Sequence, residues 1–272
     1  MEGTFVLVPQ FFCMLHFETV NRHRDQDWIV FIHGAGGSIK TWNYQVHEFK
    51  KYYNLLLIDL RDHGKSKDIK PDFDNYRFSI ITADIKEVLD HLKIKKAHFV
   101  TLSFGSVLMQ DFSMRYGHLV NKMVIAGGIF RGNYAIKAFV SLARVFNHFL
   151  SYRKMYGLFS YLLMPKRRNQ KARRIYQRQA QKLTRREYMK WVGLYGEFFR
   201  LLKQFYNRIL QKPTLVVMGG EDFIFLKSAR TFVNRQPCVS METLAKVGHI
   251  CNIESPDSFN KLVMDFLGAS KN

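Results

Sequence analysis

A chain of 272 residues, 47% hydrophobic and 15% aromatic, can bury a sizeable core, which excludes a disordered polymer and a small stapled module. The formal net charge of +20 is unevenly placed: residues 131–210 carry 19 Lys and Arg against two Asp and Glu, a local +17. Three cysteines (Cys13, Cys238 and Cys251) form no paired framework and show no metal-type spacing, so reduced thiols are expected and no metal site is read.

Met1 to Val8 lacks a basic n-region and a small-residue cleavage site, and no apolar run reaches the roughly 18–20 residues of a membrane span. The chain therefore reads as cytoplasmic. Trp28-Ile29-Val30-Phe31-Ile32 is a strand pattern that runs into His33-Gly34-Ala35-Gly36-Gly37-Ser38. A glycine-rich turn of this kind can aim a backbone N–H at an oxyanion. Ala97 to Thr101 is a second apolar strand, followed by Leu102-Ser103-Phe104-Gly105 and then by a helical pattern that closes at Tyr116-Gly117. A serine on a sharp strand-to-helix turn, with glycine two places on, exposes its hydroxyl above the sheet edge, and the helix N-terminus behind it favours developing negative charge. By itself a Ser-x-Gly after a strand also reads as a helix N-cap.

The middle of the chain is patterned as helices. Ile136, Phe139, Val140, Ala143 and Phe146 fall on one helical face, and a longer stripe runs from Tyr188 through Trp191, Tyr195, Phe198 and Leu202 to Ile209. Thr184-Arg185-Arg186-Glu187 predicts a capping box at its start. Between them, after Pro165, lies a strongly basic helix. Pro213 to Met218 then reads as a buried strand ending in Gly219-Gly220-Glu221-Asp222, and Val239 to Leu244 as another that leads to Gly248-His249. Ser255-Pro256 opens the last helix. Acid and histidine thus follow the carboxyl ends of strands, where open α/β sheets place ligands.

The order of elbow, His-Gly loop, acid and histidine resembles the α/β-hydrolase superfamily. So do Asp59-Leu60-Arg61-Asp62-His63-Gly64-Lys65-Ser66, similar to the family's Asp-x-Arg-Gly-His-Gly-x-Ser loop, and Gly248-His249 before Glu254-Ser255-Pro256. The resemblance covers residues 14–130 and 211–269 and departs at two positions: Thr101 and Asp62 stand where the family has glycine. It implies a mostly parallel, eight-stranded sheet flanked by helices, with residues 1–130 and 211–272 as the catalytic core and 131–210 as a helical cap. Ser103 would be the nucleophile, His249 the general base and Asp222 the residue that orients it, with Glu221 as the adjacent rival. The backbone N–H groups of Ala35 and Phe104 would form the oxyanion hole. No cofactor is implied.

The expected activity is cleavage of a small carboxylic ester or thioester with an apolar acyl part, through an acyl-enzyme. Two alternatives stand beside it: a weakly catalytic ligand-sensing protein, and C–C hydrolase or lyase chemistry on the same fold. Arg167, Arg168, Lys171, Arg173, Arg174 and Arg178 are read as an anion-docking face for a membrane surface, coenzyme A or an acidic carrier protein, against the plainer reading of a solvated surface. No motif supports nucleic acid as the partner.

Overall fold

The computed structural model describes residues 14–20, 23, 25–132, 137, 141, 145, 146 and 150–269. Runs rich in Ile, Val and Leu become strands β1 (Phe17–Val20), β2 (Trp28–Ile32), β3 (Asn54–Ile58), β4 (Ala97–Leu102), β5 (Val120–Ala126), β6 (Thr214–Gly219) and β7 (Val239–Leu244). They form one sheet in the order β1-β3-β2-β4-β5-β6-β7, with β1 antiparallel and every other pair parallel. Every residue of β3, β4 and β6 is buried, as expected of parallel strands covered by helices on both faces. The sequence reading expected eight strands; seven lie among the described residues.

The α-helices whose bounds lie among the described residues are α1 (Asn43–Phe49), α2 (Phe78–His91), α3 (Phe104–Arg115), α4 (Tyr152–Leu163), α5 (Gln170–Ala180), α6 (Arg185–Gly193), α7 (Tyr195–Tyr206), α8 (Leu226–Val233), α9 (Cys251–Glu254) and α10 (Pro256–Leu267). Side chains alternate across each strand, so each sheet face builds its own core. Val30, Leu56 and Phe99 meet residues of α2, α3 and α7 on one face, while Ile29, Phe31 and Leu55 meet α1 and α10 on the other. Phe31 is fully buried, with its ring 5.1 Å from that of Trp42 and 5.8 Å from that of Phe49. Truncating such a ring costs about 3–5 kcal/mol.

Strand order reverses between β2 and β4, so the loops leaving their carboxyl ends open into the crevice where such sheets bind ligands. Helices α4 to α7 lie in sequence between β5 and β6. Of the stripe expected at 136–146, only Phe146 is among the described residues. The stripe from Tyr188 to Ile209 is not one helix but two, α6 and α7, separated at Leu194. Gly193 and Gly196 weaken helix propensity at that point. The corner brings Trp191 and Phe198 from different helices to 5.8 and 6.2 Å from the Phe104 ring. The capping box forms: Thr184 Oγ accepts from the Glu187 N–H at 3.2 Å, and the Glu187 carboxylate accepts from the Thr184 N–H at 2.6 Å. Among the described residues no helix is long and apolar enough to cross a membrane.

Candidate active site

Ser103 links β4 to α3 with φ 52° and ψ −119°. A non-glycine residue enters that region only where the fold forces a sharp turn. The turn is held by the Ser103 N–H donating to the Ala126 carbonyl (2.9 Å) and the Ser106 N–H to the Ser103 carbonyl (2.8 Å). Gly105 is required by crowding: a Cβ there would sit 2.7 Å from the carbonyl oxygens of both Ile32 and His33. Thr101, the departure from the family pattern, is fully buried within β4 and donates its hydroxyl to the Val124 carbonyl at 3.2 Å, so the larger side chain is accommodated and bonded.

His249 Nε2 lies 2.7 Å from Ser103 Oγ, and His249 Nδ1 lies 2.7 Å from Asp222 Oδ2. Asp222 is fully buried and its other oxygen accepts from the Phe225 N–H at 3.1 Å. An ionised carboxylate only accepts, so the ring hydrogen sits on Nδ1 and Nε2 faces the serine hydroxyl as an acceptor. Glu221 points elsewhere, 3.3 Å from the Arg168 guanidinium. Burial pushes the neighbouring Cys251 thiol up to about 12, which keeps it protonated and removes it as a competing nucleophile.

The His33–Ser38 loop presses against the serine turn. A Cβ on Gly34 would lie 3.2 Å from Ser103 Cβ and 3.7 Å from the Phe104 nitrogen. Gly36 N–H donates to His63 Nε2 (2.9 Å) and Gly37 N–H to the Gly34 carbonyl (3.0 Å). Among the described residues no protein group accepts from the N–H of Ala35 or of Phe104. The two N–H groups named from the sequence are thus left unspent beside Ser103. Two buried histidines shape this loop: each donates from Nδ1 to a nearby carbonyl, His33 to Gly34 and His63 to Arg61. Desolvation by burial holds both below the ordinary imidazole value, His63 well below, so they stay neutral.

Above Ser103 lies a cavity of about 120 Å³ whose walls include Phe104, Ile129, Phe159, Phe198 and four tyrosines, Tyr156, Tyr176, Tyr188 and Tyr195. The hydroxyls of Tyr156, Tyr176 and Tyr195 bond no protein group among the described residues, and burial holds these phenols above their ordinary value. They are protonated donors. A second space of about 30 Å³ beside the serine is walled in part by Leu102, Ile175, Ile250 and Ile253.

Sequence reasoning named the Glu254 position without giving it a role. Glu254 accepts from the N–H groups on both sides of His249, Gly248 at 2.9 Å and Ile250 at 3.3 Å, and also from the Asn169 side-chain amide. Asn169, at the foot of α5, is fixed in turn by the Lys166 N–H donating to its Oδ1 at 3.0 Å. A carboxylate five residues after the histidine was the available signal; the partner across 85 residues was not.

The six cations read as one docking face are divided by the structure. Arg173 is buried, donates to the Met164 and Lys166 carbonyls and stacks 4.6 Å from the Tyr161 ring centroid. Arg168 pairs with Glu221, and Lys171 lies 5.3 Å over the Tyr44 ring. Arg167, Arg174 and Arg178 stay exposed. Two linker carbonyls hold Arg173 and a loop carboxylate holds Arg168, so two of the six cations are engaged within the fold.

A family model described as alpha/beta hydrolase fold matches residues 27–256. A hydrolase of Paraburkholderia phymatum named for 2-hydroxy-6-oxononadienedioate and 2-hydroxy-6-oxononatrienedioate is 27% identical over 267 residues, covering 89% of this chain and 88% of that protein. Epoxide hydrolase 3 of Mus musculus is 30% identical over 114 residues, 42% of this chain. The chain spans 30% of that protein and 65% of epoxide hydrolase 1 of Caenorhabditis elegans. Among solved structures, the enol-lactonase from Burkholderia xenovorans superimposes with a TM-score of 0.78 at 21% identity, over 93% of this chain and 96% of that one. MenH from S. aureus gives 0.78 at 17% identity, over 94% and 99%.

Proposed function

The chain belongs to the α/β-hydrolase family, and on that premise we propose that it is a serine hydrolase that cleaves a carboxylic ester or thioester through an acyl-enzyme. The observation that carries this reading is the continuous hydrogen-bonded line Ser103–His249–Asp222, with both links at 2.7 Å, beside two unspent N–H groups. His249 Nε2 accepts the Ser103 proton as Oγ attacks the acyl carbon, and the Asp222 carboxylate stabilises the imidazolium that forms. The oxyanion collects the N–H groups of Ala35 and Phe104, at the start of α3. The imidazolium then protonates the leaving group. Water, activated by the same imidazole, releases the acid.

Helices α4 to α7 act in this reading as a cap whose inner faces select the acyl part. A space of about 120 Å³ is near the 150 Å³ that holds one benzene ring, so a short or aromatic acyl group suits it. The three free phenols offer donors to a polar atom on that group. The unspent N–H pair favours substrates with a carbonyl over epoxides, which carry none. C–C bond hydrolysis is the second reading, favoured by the near full-length match to the Paraburkholderia phymatum protein. A chain-length series of p-nitrophenyl esters with wild type and Ser103→Ala tests the proposal. Turnover greatest for short or aromatic acyl groups, and abolished in the variant, is expected. If no ester or thioester turns over while a vinylogous 1,5-dioxo acid is split into two acids, the second reading replaces it.

A further inference from the structure

Away from the serine, a groove of about 700 Å³ opens between the end of β5, α7 and the end of α8. Five cations line it: Arg131, Lys137, Arg200, Lys203 and Arg235. One is compensated, because Arg200 pairs with Glu197 at 3.1 Å. The other four have no carboxylate partner among the described residues. The sequence explains why none is at hand. No Asp or Glu occurs in residues 131–186, in 198–220 or in 223–241, the sequence stretches to which the lining residues belong. Like charges gathered without counter-charge raise a strong local potential, and a concave, partly apolar wall focuses it.

The groove is also preorganised. The Arg131 and Arg235 guanidiniums lie 5.4 and 5.0 Å from the centroid of the same Tyr206 ring, and Lys137 lies 6.0 Å over Phe199. Tyr206 is buried, so its ring is a fixed platform that limits the entropy lost when the arginines bind. Guanidinium forks match phosphate oxygens, and a phosphate monoester carries about −1.5 to −2 charge at pH 7. Four uncompensated cations therefore call for about two phosphate groups, and Phe199 and Leu202 supply an apolar wall for an organic part. The volume lies within the roughly 300–1,000 Å³ of small-molecule sites. We propose that this groove binds a phosphate-bearing small molecule, at a site separate from the serine. Phe198 faces the serine cavity and Phe199 the groove, so α7 divides the two.

The claim concerns binding alone and does not depend on the serine chemistry. Calorimetric titration of the full chain with pyrophosphate, ADP and coenzyme A tests it, at about 0.01 M and about 0.15 M salt, where the screening length is ~30 and ~8 Å. At least one ligand should bind saturably at one site and weaken with salt. The double variant Lys203→Glu/Arg235→Glu should lose at least about tenfold in affinity, which is about 1.4 kcal/mol. Lys95→Glu/Lys96→Glu, an equal charge change on exposed residues elsewhere, should lose little. Tighter binding of ADP or coenzyme A than of pyrophosphate assigns the ligand an organic part; equal binding assigns the site to the phosphates themselves. Absence of saturable binding to all three, or equal weakening in both double variants, overturns the proposal. If the glutamate pair fails to fold, Lys203→Gln/Arg235→Gln serves the same test.

Discussion

Asp62 occupies a position where the family loop has glycine, and its φ of 66° shows why glycine is usual there. The side chain offsets the strain by accepting from the Tyr76 hydroxyl at 2.6 Å, while its own carbonyl accepts from Lys67 Nζ at 2.6 Å. Burial pushes the Asp62 carboxyl above its ordinary value, against the Tyr76 hydrogen bond, so the native state holds a proton more tightly than the unfolded chain. The stability this confers is complete below the ordinary carboxylate range and is lost as pH rises through the raised folded value. Wild type should therefore gain stability relative to Asp62→Asn as pH falls from about 7 to about 4. Denaturant melts at the two pH values check this, and the opposite trend would contradict it. Thr101→Gly removes a hydrogen bond and adds chain entropy, so it should cost about 1–2 kcal/mol while leaving ester turnover within a few-fold. A change in acyl preference would mean that Thr101 shapes the cavity floor.

At the scale of elements, the Lys166–Asn169 turn before α5 reaches the histidine loop through Glu254. Glu254→Ala should lower kcat by about 10–100-fold with little change in KM, because it frees the two N–H groups that flank His249. Asn169→Ala should lower kcat less, and the double variant should fall no further than Glu254→Ala alone. Multiplicative losses would mean that the two act independently. Much of this scale was legible in the sequence. Strand periods, Gly105 after Ser103, and the Thr184–Glu187 box predict what is observed, since each depends on neighbours in the chain. The break at Leu194 was legible only in part, through Gly193 and Gly196 beside it, and the burial of Arg173 was not legible. The first depends also on how Trp191 and Phe198 converge on Phe104, and the second on the Met164 and Lys166 carbonyls of the linker after α4, which are tertiary facts. Serine, acid and histidine could be named because their chain order is informative; Asn169 could not, because its role exists only across the fold.

For the whole molecule, the dominant feature is the uneven charge along the chain, net +17 across residues 131–210. Such a field should steer anionic substrates toward the cavity. For an ester with an anionic group, kcat/KM should fall several-fold between about 0.01 and 0.5 M salt, as the screening length contracts, and stay level for a neutral ester of the same shape. Equal salt dependence for both would assign the charge to solubility alone. Beneath that field, the account depends on one nucleophile activated by one imidazole. Its most direct test is intact-mass measurement after treatment with a fluorophosphonate probe, on wild type and Ser103→Ala. A single phosphonyl adduct on wild type, mapped to Ser103 and absent from the variant, is the predicted result. An unlabelled wild type, or a variant labelled to the same extent, would contradict it.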